Sequence, residues 1–207
     1  MAEFVEIHPK NPQPRLIQQV IDCLRRGGVI IYPTDSAYAL GAQIGDKQAM
    51  DTIRRIRRLD DNHNFTLLCN DLSQVSTFTK MGNHAHRLIK SLTPGAFTFL
   101  LDATREVPRR LQHPKKKTIG VRITDNPIAR ALLEALGEPL LSSTLMLPGD
   151  DDPISDPFDI RQRLDHDVDL IVAAGIIEHK PSTVISCVDN MIEIVRQGVG
   201  IAPMLEK

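Results

Sequence analysis

The apolar run Gly28-Val-Ile-Ile-Tyr32 breaks off at Pro33 and gives way to Thr34-Asp-Ser36. β-Branched and aromatic residues in so short a run predict a buried strand. A proline has no N–H to offer a ladder, so it cannot continue a central strand. Hydroxyls and a carboxylate are thereby delivered to a strand end, where open α/β sheets place ligands.

Helix and strand signals alternate along the rest of the chain. Residues 13–26 carry Leu16, Ile17, Val20, Ile21 and Leu24 on one stripe, with Pro14 early and Gly27-Gly28 as the stop. Asp46 suits the N-cap of a helix over 47–58, where Ala49, Met50, Ile53 and Ile56 share a face. A further helix gathers Ala85, Leu88, Ile89 and Leu92. Another opens at Asn126-Pro127 and closes at Gly137, and one more is predicted near 157–164. Strands are predicted at 28–32, 65–69, 96–101, 118–123 and 139–143, and near 168–172, 182–187 and 191–196. Some strands follow one another without a helix between them. The pattern therefore predicts an α+β (mixed α/β) fold, a mixed sheet flanked by helices rather than a regular βαβ winding. The 207 residues suit a single domain spanning 1–207.

No apolar run approaches the roughly 20 residues of a membrane span, and the start lacks the basic and hydrophobic regions of a signal peptide. Cys23, Cys69 and Cys187 are far apart, odd in number and set among apolar residues. They fit neither a disulfide framework nor a zinc spacing, and a reducing cytoplasm is the expected setting. The formal net charge of -1 hides an uneven distribution. Arg54, Arg55, Arg57 and Arg58 cluster, as do Arg105, Arg109 and Arg110 with Lys115, Lys116 and Lys117, while Asp150, Asp151, Asp152, Asp156 and Asp159 concentrate acid later. A basic face suits an anionic ligand, and it also describes a solvated surface.

Individual residues carry more. At about 100° per residue Arg57 lands between Ile53 and Met50, on the apolar side of its helix. A cation there must pair, snorkel past the helix end or meet an anion. On strand 118–123, Thr118, Gly120 and Arg122 share one face, and the glycine is expected to leave room for a ligand. Ser142, Ser143 and Thr144 stand at a strand terminus, suited to a carboxylate or phosphate and also to a capping or turn cluster before Pro148-Gly149. Ser182-Thr183 opens a strand and Arg196 closes the last one. His84 and His86 are two apart and point away from each other on a helix, so no metal site is assigned. There is no Gly-x-x-x-x-Gly-Lys-Ser/Thr or Gly-x-Gly-x-x-Gly loop.

Together these segments resemble the YrdC-like family, which includes the YciO branch and the threonylcarbamoyl-AMP synthases. Pro33-Thr-Asp-Ser-Ala-Tyr-Ala-Leu-Gly41 is similar to the family's Pro-Thr-x-Thr-x-Tyr-Gly-Leu-Gly segment, and Thr93-Pro-Gly-Ala-Phe-Thr98 to its Pro-Gly-x-x-Thr element. Gly120-Val-Arg122, Pro181-Ser-Thr-Val184 and Val195-Arg196-Gln-Gly198 resemble its later elements in the same order. The resemblance implies a YrdC/RibB-like twisted mixed sheet with a concave basic cavity. It implies a nucleotidyltransferase reaction in which L-threonine, bicarbonate and ATP, with Mg2+, give threonylcarbamoyl-AMP and pyrophosphate for modification of tRNA. By position, Thr34, Arg122, Ser142 and Ser182 would hold the threonine, and Arg57, Thr118, Thr144 and Arg196 the nucleotide.

The chain departs from the synthases where their signature lies. Arg57-Arg58-Leu59 stands in place of Lys-x-Arg, and Thr144-Leu145-Met146 in place of Ser-x-Asn. Ala39 replaces a glycine and Asp60 a proline. The resemblance is closest to the YciO branch, which shares these variants. It leaves three readings: a slow synthase, a protein that holds a nucleotide or double-stranded RNA without chemistry, and an enzyme acting on another amine.

Overall fold

The computed structural model describes residues 1–60, 63 and 65–205. Strand β1 (Glu3–Glu6) leads into helix α1 (Pro14–Arg25), which has proline in its first turn and buries Ile17, Val20, Ile21, Cys23 and Leu24. Strands β2 (Ile30–Pro33) and β3 (Tyr38–Gln43) form a hairpin. Pro33 is the last residue of β2, paired with Tyr38, so the proline closes the strand from inside. Helix α2 (Lys47–Arg57) is capped by Asp46, whose Oδ1 accepts from the Ala49 N–H at 2.9 Å, and it ends at Arg58 in the left-handed region. Then come β4 (Thr66–Leu68), α3 (Leu72–Phe78), β5 (Thr79–Lys80), α4 (Asn83–Leu92), β6 (Phe97–Ala103) and β7 (Thr118–Arg122). Helix α5 (Pro127–Leu136) is capped by Asn126 and stopped by Gly137 at φ +77°. Strand β8 (Leu140–Thr144), α6 (Pro157–Leu164), β9 (Leu170–Ala173), β10 (Thr183–Ser186) and β11 (Glu193–Arg196) complete the order.

The strands lie in the order β1-β9-β2-β3-β8-β4-β7-β6-β10-β11, with β5 on β6. β1/β9, β9/β2, β4/β7 and β6/β10 are parallel, and the other pairs antiparallel, which is the expected mixed sheet. Its two faces are covered unequally. One packs Ile31, Leu40, Leu67, Phe99, Ile119, Val121 and Leu141 against the apolar stripes of α2, α4 and α6. The other packs Ile30, Tyr32, Leu140, Leu170 and Val172 against α1 and α5. Those two helices reach only the β1 side of this face. On the β10 side it carries Thr98, Arg122, Ser142 and Ser182 instead.

Strand register explains one departure from expectation. Gly120 lies opposite Leu100 on β6 and Thr66 on β4, and Thr66 lies opposite Ser142 on β8. Directly opposed residues share a face, so this row crosses the open half of the sheet. Yet a Cβ at Gly120 would stand 2.8 Å from Thr66 Oγ1 and 3.1 Å from the Phe65 carbonyl oxygen. The space beside the glycine belongs to Thr66, not to a ligand. Gly120→Ala is therefore expected to cost about 1–3 kcal/mol by overpacking. Combining it with Thr66→Ala should recover part of that loss in urea denaturation, because one of the two crowding atoms is gone.

Candidate functional site

The open half of the sheet is the floor of a cavity of about 650 Å³. Thr98 and Leu100 of β6, Arg122 of β7, Thr66 and Leu68 of β4, Ser142 and Thr144 of β8, and Ser182 and Val184 at β10 point into it. Walls come from turn 34–37, from Arg57 at the end of α2, from Asp60 and His63, and from His179, Val195 and Arg196. Seven of the eight residues singled out from the sequence meet here: Thr34, Arg57, Arg122, Ser142, Thr144, Ser182 and Arg196. Thr118 does not. It shares a face with Arg122, but it is buried at the far end of β7, opposite Asp102. Four residues at about 3.3 Å each put it roughly 13 Å away along the strand.

Arg122 anchors the amino-acid end assigned by resemblance. It is 8% exposed and pairs with Asp35, while its Nη1 donates to Ser36 Oγ at 2.7 Å. Thr124 Oγ1 donates to the same Asp35 oxygen at 2.9 Å. Asp35 Oδ2 and Arg122 Nε have no hydrogen-bond partner among the described residues. Burial pushes the Asp35 carboxyl above the ordinary aspartate range, and the Arg122 charge and the Thr124 hydroxyl pull it back. Thr34 holds the turn itself. Its Oγ1 accepts from the Ser36 and Ala37 N–H groups (3.2 Å each) and donates to the Ala37 carbonyl at 2.6 Å. Ser142 shares a 2.7 Å hydrogen bond with the buried Tyr32 hydroxyl, and burial pushes that phenol up to about 12. Ser182 Oγ is 2.9 Å from Thr98 Oγ1.

The nucleotide end assigned by resemblance is organised by two arginines. Arg57 leaves the last turn of α2 and donates from Nη1 to Ser143 Oγ (2.7 Å) and from Nε to the Met146 carbonyl (3.2 Å). Its placement on the apolar side of the helix is thus a reach across to β8, and burial lowers its pKa. Arg196 Nη2 donates to the Ser182 carbonyl at 2.9 Å, fixing β11 to the entry of β10. Met146 lines the cavity, whereas Leu145 beside it is fully buried. Leu59 packs against the main core, and Ala39 lies opposite Thr144. Among the described residues no group of three or more His, Cys, Asp or Glu side chains could hold a metal ion.

The sequence reading placed Asp35 and Ser36 at a ligand-bearing strand end but gave them no role, and it missed Thr66, Thr98 and His63 as members of this site. Thr98 was within reach, since it closes Thr93-Pro-Gly-Ala-Phe-Thr98. The pairing of Asp35 and Ser36 with Arg122 was not, because that arginine lies 87 and 86 residues further on.

A family model for the Sua5/YciO/YrdC domain, described as telomere recombination, matches residues 22–198. YciO of Escherichia coli K12 is 56% identical over 206 residues, 99% of this chain and 100% of the relative. The crystal structure of E. coli YciO matches with a TM-score of 0.95 at 55% identity, covering 100% of both chains. A threonylcarbamoyl-AMP synthase of Coxiella burnetii is 30% identical over 172 residues, 81% of this chain and 90% of the relative. The structure of P. abyssi Sua5 complexed with L-threonine matches in fold, with a TM-score of 0.86 at 22% identity over 94% of this chain and 57% of that one.

The Asp35–Arg122 pair makes a testable statement about pH. A carboxyl raised in the folded state above its ordinary 3.8 favours the protonated form, so folding stability falls as pH rises through its folded pKa. Arg122→Met removes the cation that holds it down. The variant should lose about 3–5 kcal/mol at pH 7, where a buried carboxylate is left unpaired, and clearly less near pH 4. Urea denaturation at the two pH values checks this, and a loss independent of pH would contradict it.

Proposed function

The chain belongs to the Sua5/YciO/YrdC family, and from that premise we propose that its cavity makes L-threonylcarbamoyl-AMP and pyrophosphate from L-threonine, bicarbonate and ATP. The observation that carries this reading is the convergence of Arg57, Arg122 and Arg196 with the hydroxyl-bearing ends of β8 and β10 in one hollow. Arg122 with Ser142, Ser182 and the turn shaped by Thr34 would hold the amino-acid carboxylate and hydroxyl. Arg57, Thr144 and Arg196 would face the phosphates, and Thr118, outside the cavity, has no part. A guanidinium suits both a carboxylate and a phosphate, because its planar fork presents paired donors.

The chemistry needs no protein nucleophile. The threonine amine bonds the bicarbonate carbon with loss of water. A carbamate oxygen then attacks the α-phosphorus, and pyrophosphate leaves with the electron pair of the broken P–O bond. The protein positions the carbamate and the nucleotide and balances charge at the phosphorus. Mg2+ would enter bound to the triphosphate as part of the substrate. Leu59 and Met146 stand where the synthases carry an arginine and an asparagine, so this reading includes a reduced rate. Each lost hydrogen bond to a charged group is worth about 1.5–3 kcal/mol, or roughly ten- to a hundred-fold.

Purified protein incubated with ATP, Mg2+, L-threonine and labelled bicarbonate should give a labelled acyl adenylate and pyrophosphate, and no label without threonine. No product under conditions where a known synthase works would contradict the assignment. Arg57→Ala should lower kcat/KM by about ten- to a hundred-fold. Met146→Asn, which returns an amide to the cavity wall, should raise it by up to about ten-fold. Steady-state pyrophosphate release reads both.

A further inference from the structure

The reaction proposed above begins with a proton on the wrong atom. At neutral pH the amino group of an amino acid is an ammonium, and it has no lone pair for the bicarbonate carbon until that proton leaves. The arginines of the cavity cannot accept it. Besides the arginines, three basic side chains line the wall: His179, whose Nδ1 is 3.3 Å from Asp152 Oδ1, the Asp60 carboxylate, and the His63 imidazole. Of the two imidazoles, His63 is the one that feels the charge of Arg57, where the nucleotide is assigned. Its backbone N–H donates to the Asp60 carbonyl at 3.3 Å, just beyond α2. Its ring meets the Phe65 ring edge-on, with centroids 5.7 Å apart at 86°, and the Arg54 guanidinium lies over Phe65 at 5.2 Å. The aromatic contact orients the imidazole.

We propose that His63 is the catalytic proton acceptor for the substrate amine, and that a nucleotide polyanion bound at Arg57 strengthens it as a base; this role rests on the function proposed above. The imidazole takes one proton from the ammonium and becomes an imidazolium. The freed amine bonds the bicarbonate carbon, and a C–O bond breaks. Hydroxide departs as water with one of the two remaining amine protons, leaving the carbamate, and the imidazolium returns its proton to solvent. The electrostatic surroundings supply the coupling. His63 is pushed down to about 4, first by burial, then by Arg57, with Asp60 opposing and Arg54 adding least. It is therefore neutral, with a lone pair to offer, but weakly basic. Phosphate charge beside Arg57 cancels the field of that cation and adds its own, so proton affinity at His63 rises toward the working pH, where general bases are most effective. The nucleotide readies the site, and amine activation follows its arrival.

The test uses the full chain with 13C-labelled histidine, the His63 signal being assigned through His63→Ala. Its titration midpoint should rise by at least one pH unit, a ten-fold gain in proton affinity, when α,β-methylene-ATP and Mg2+ are added. His63→Ala should lower kcat by about 10²–10⁴-fold with little change in the KM of any of the three substrates. Added imidazole should restore part of the rate in proportion to its free-base concentration, an effect that a merely structural role would not produce. Wild-type synthesis alongside a His63→Ala variant with unchanged kcat and pH profile overturns the role of His63 and leaves the proposed function standing. A midpoint unmoved by the nucleotide overturns the coupling. A wild-type protein that makes no threonylcarbamoyl-AMP overturns the proposed function, and the role of His63 with it.

Discussion

Where α1 and α5 stop, the second face of the sheet loses its helical cover, while the first stays sealed by α2, α4 and α6. A strand buried on both faces has no room for polar side chains, but one buried on a single face alternates. That difference fixes the chemistry of the molecule. β2 and β9, under helices on both sides, are apolar throughout. β6 alternates, with Phe97, Phe99 and Leu101 in the core and Thr98 and Leu100 in the cavity. The cavity is thus the uncovered part of the same surface that forms the second core.

A polar hollow over an apolar sheet is stable only if its groups satisfy one another, because an unpaired buried charge is costly. Each arginine is accordingly tied to the frame: Arg122 to Asp35 and Ser36, Arg57 to Ser143 and the Met146 carbonyl, Arg196 to the Ser182 carbonyl. The ties hold the guanidiniums in place before any ligand arrives, so little reorganisation is left for binding. They also moderate the positive charge, since Asp35 offsets Arg122. Fewer bare cations line the hollow than three arginines suggest. This agrees with a cavity wall that has a thioether and a methyl group, Met146 and Ala39, among its polar groups.

Much of this was legible in the sequence, for identifiable reasons. Helices with a full apolar stripe and a start or stop signal declared themselves, as α1, α2 and α5 did. β3 escaped because Tyr38-Ala-Leu-Gly-Ala-Gln43 is built on small residues with little strand preference, and only its neighbours β2 and β8 make it a strand. α3 escaped because it is short and rich in Ser, Thr and Gln. The wheel position of Arg57 was readable, but its acceptor Ser143 lies 86 residues on. Strand parity put Thr118, Gly120 and Arg122 on one face correctly. Parity says nothing of distance along the strand or of the neighbour that fills the space beside a glycine, so Thr118 lies outside the cavity and Thr66 fills the space expected beside Gly120.

The central claim is that one hollow receives an amino acid at Arg122 and a nucleotide at Arg57 and Arg196. The Nε–Hε signals of these arginines report on it directly by NMR. Stepwise titration with L-threonine and then a non-hydrolysable ATP analogue should move Arg122 first, and Arg57 and Arg196 second. Movement confined to surface cations such as Arg105 and Arg109, with those three unmoved, would contradict the account.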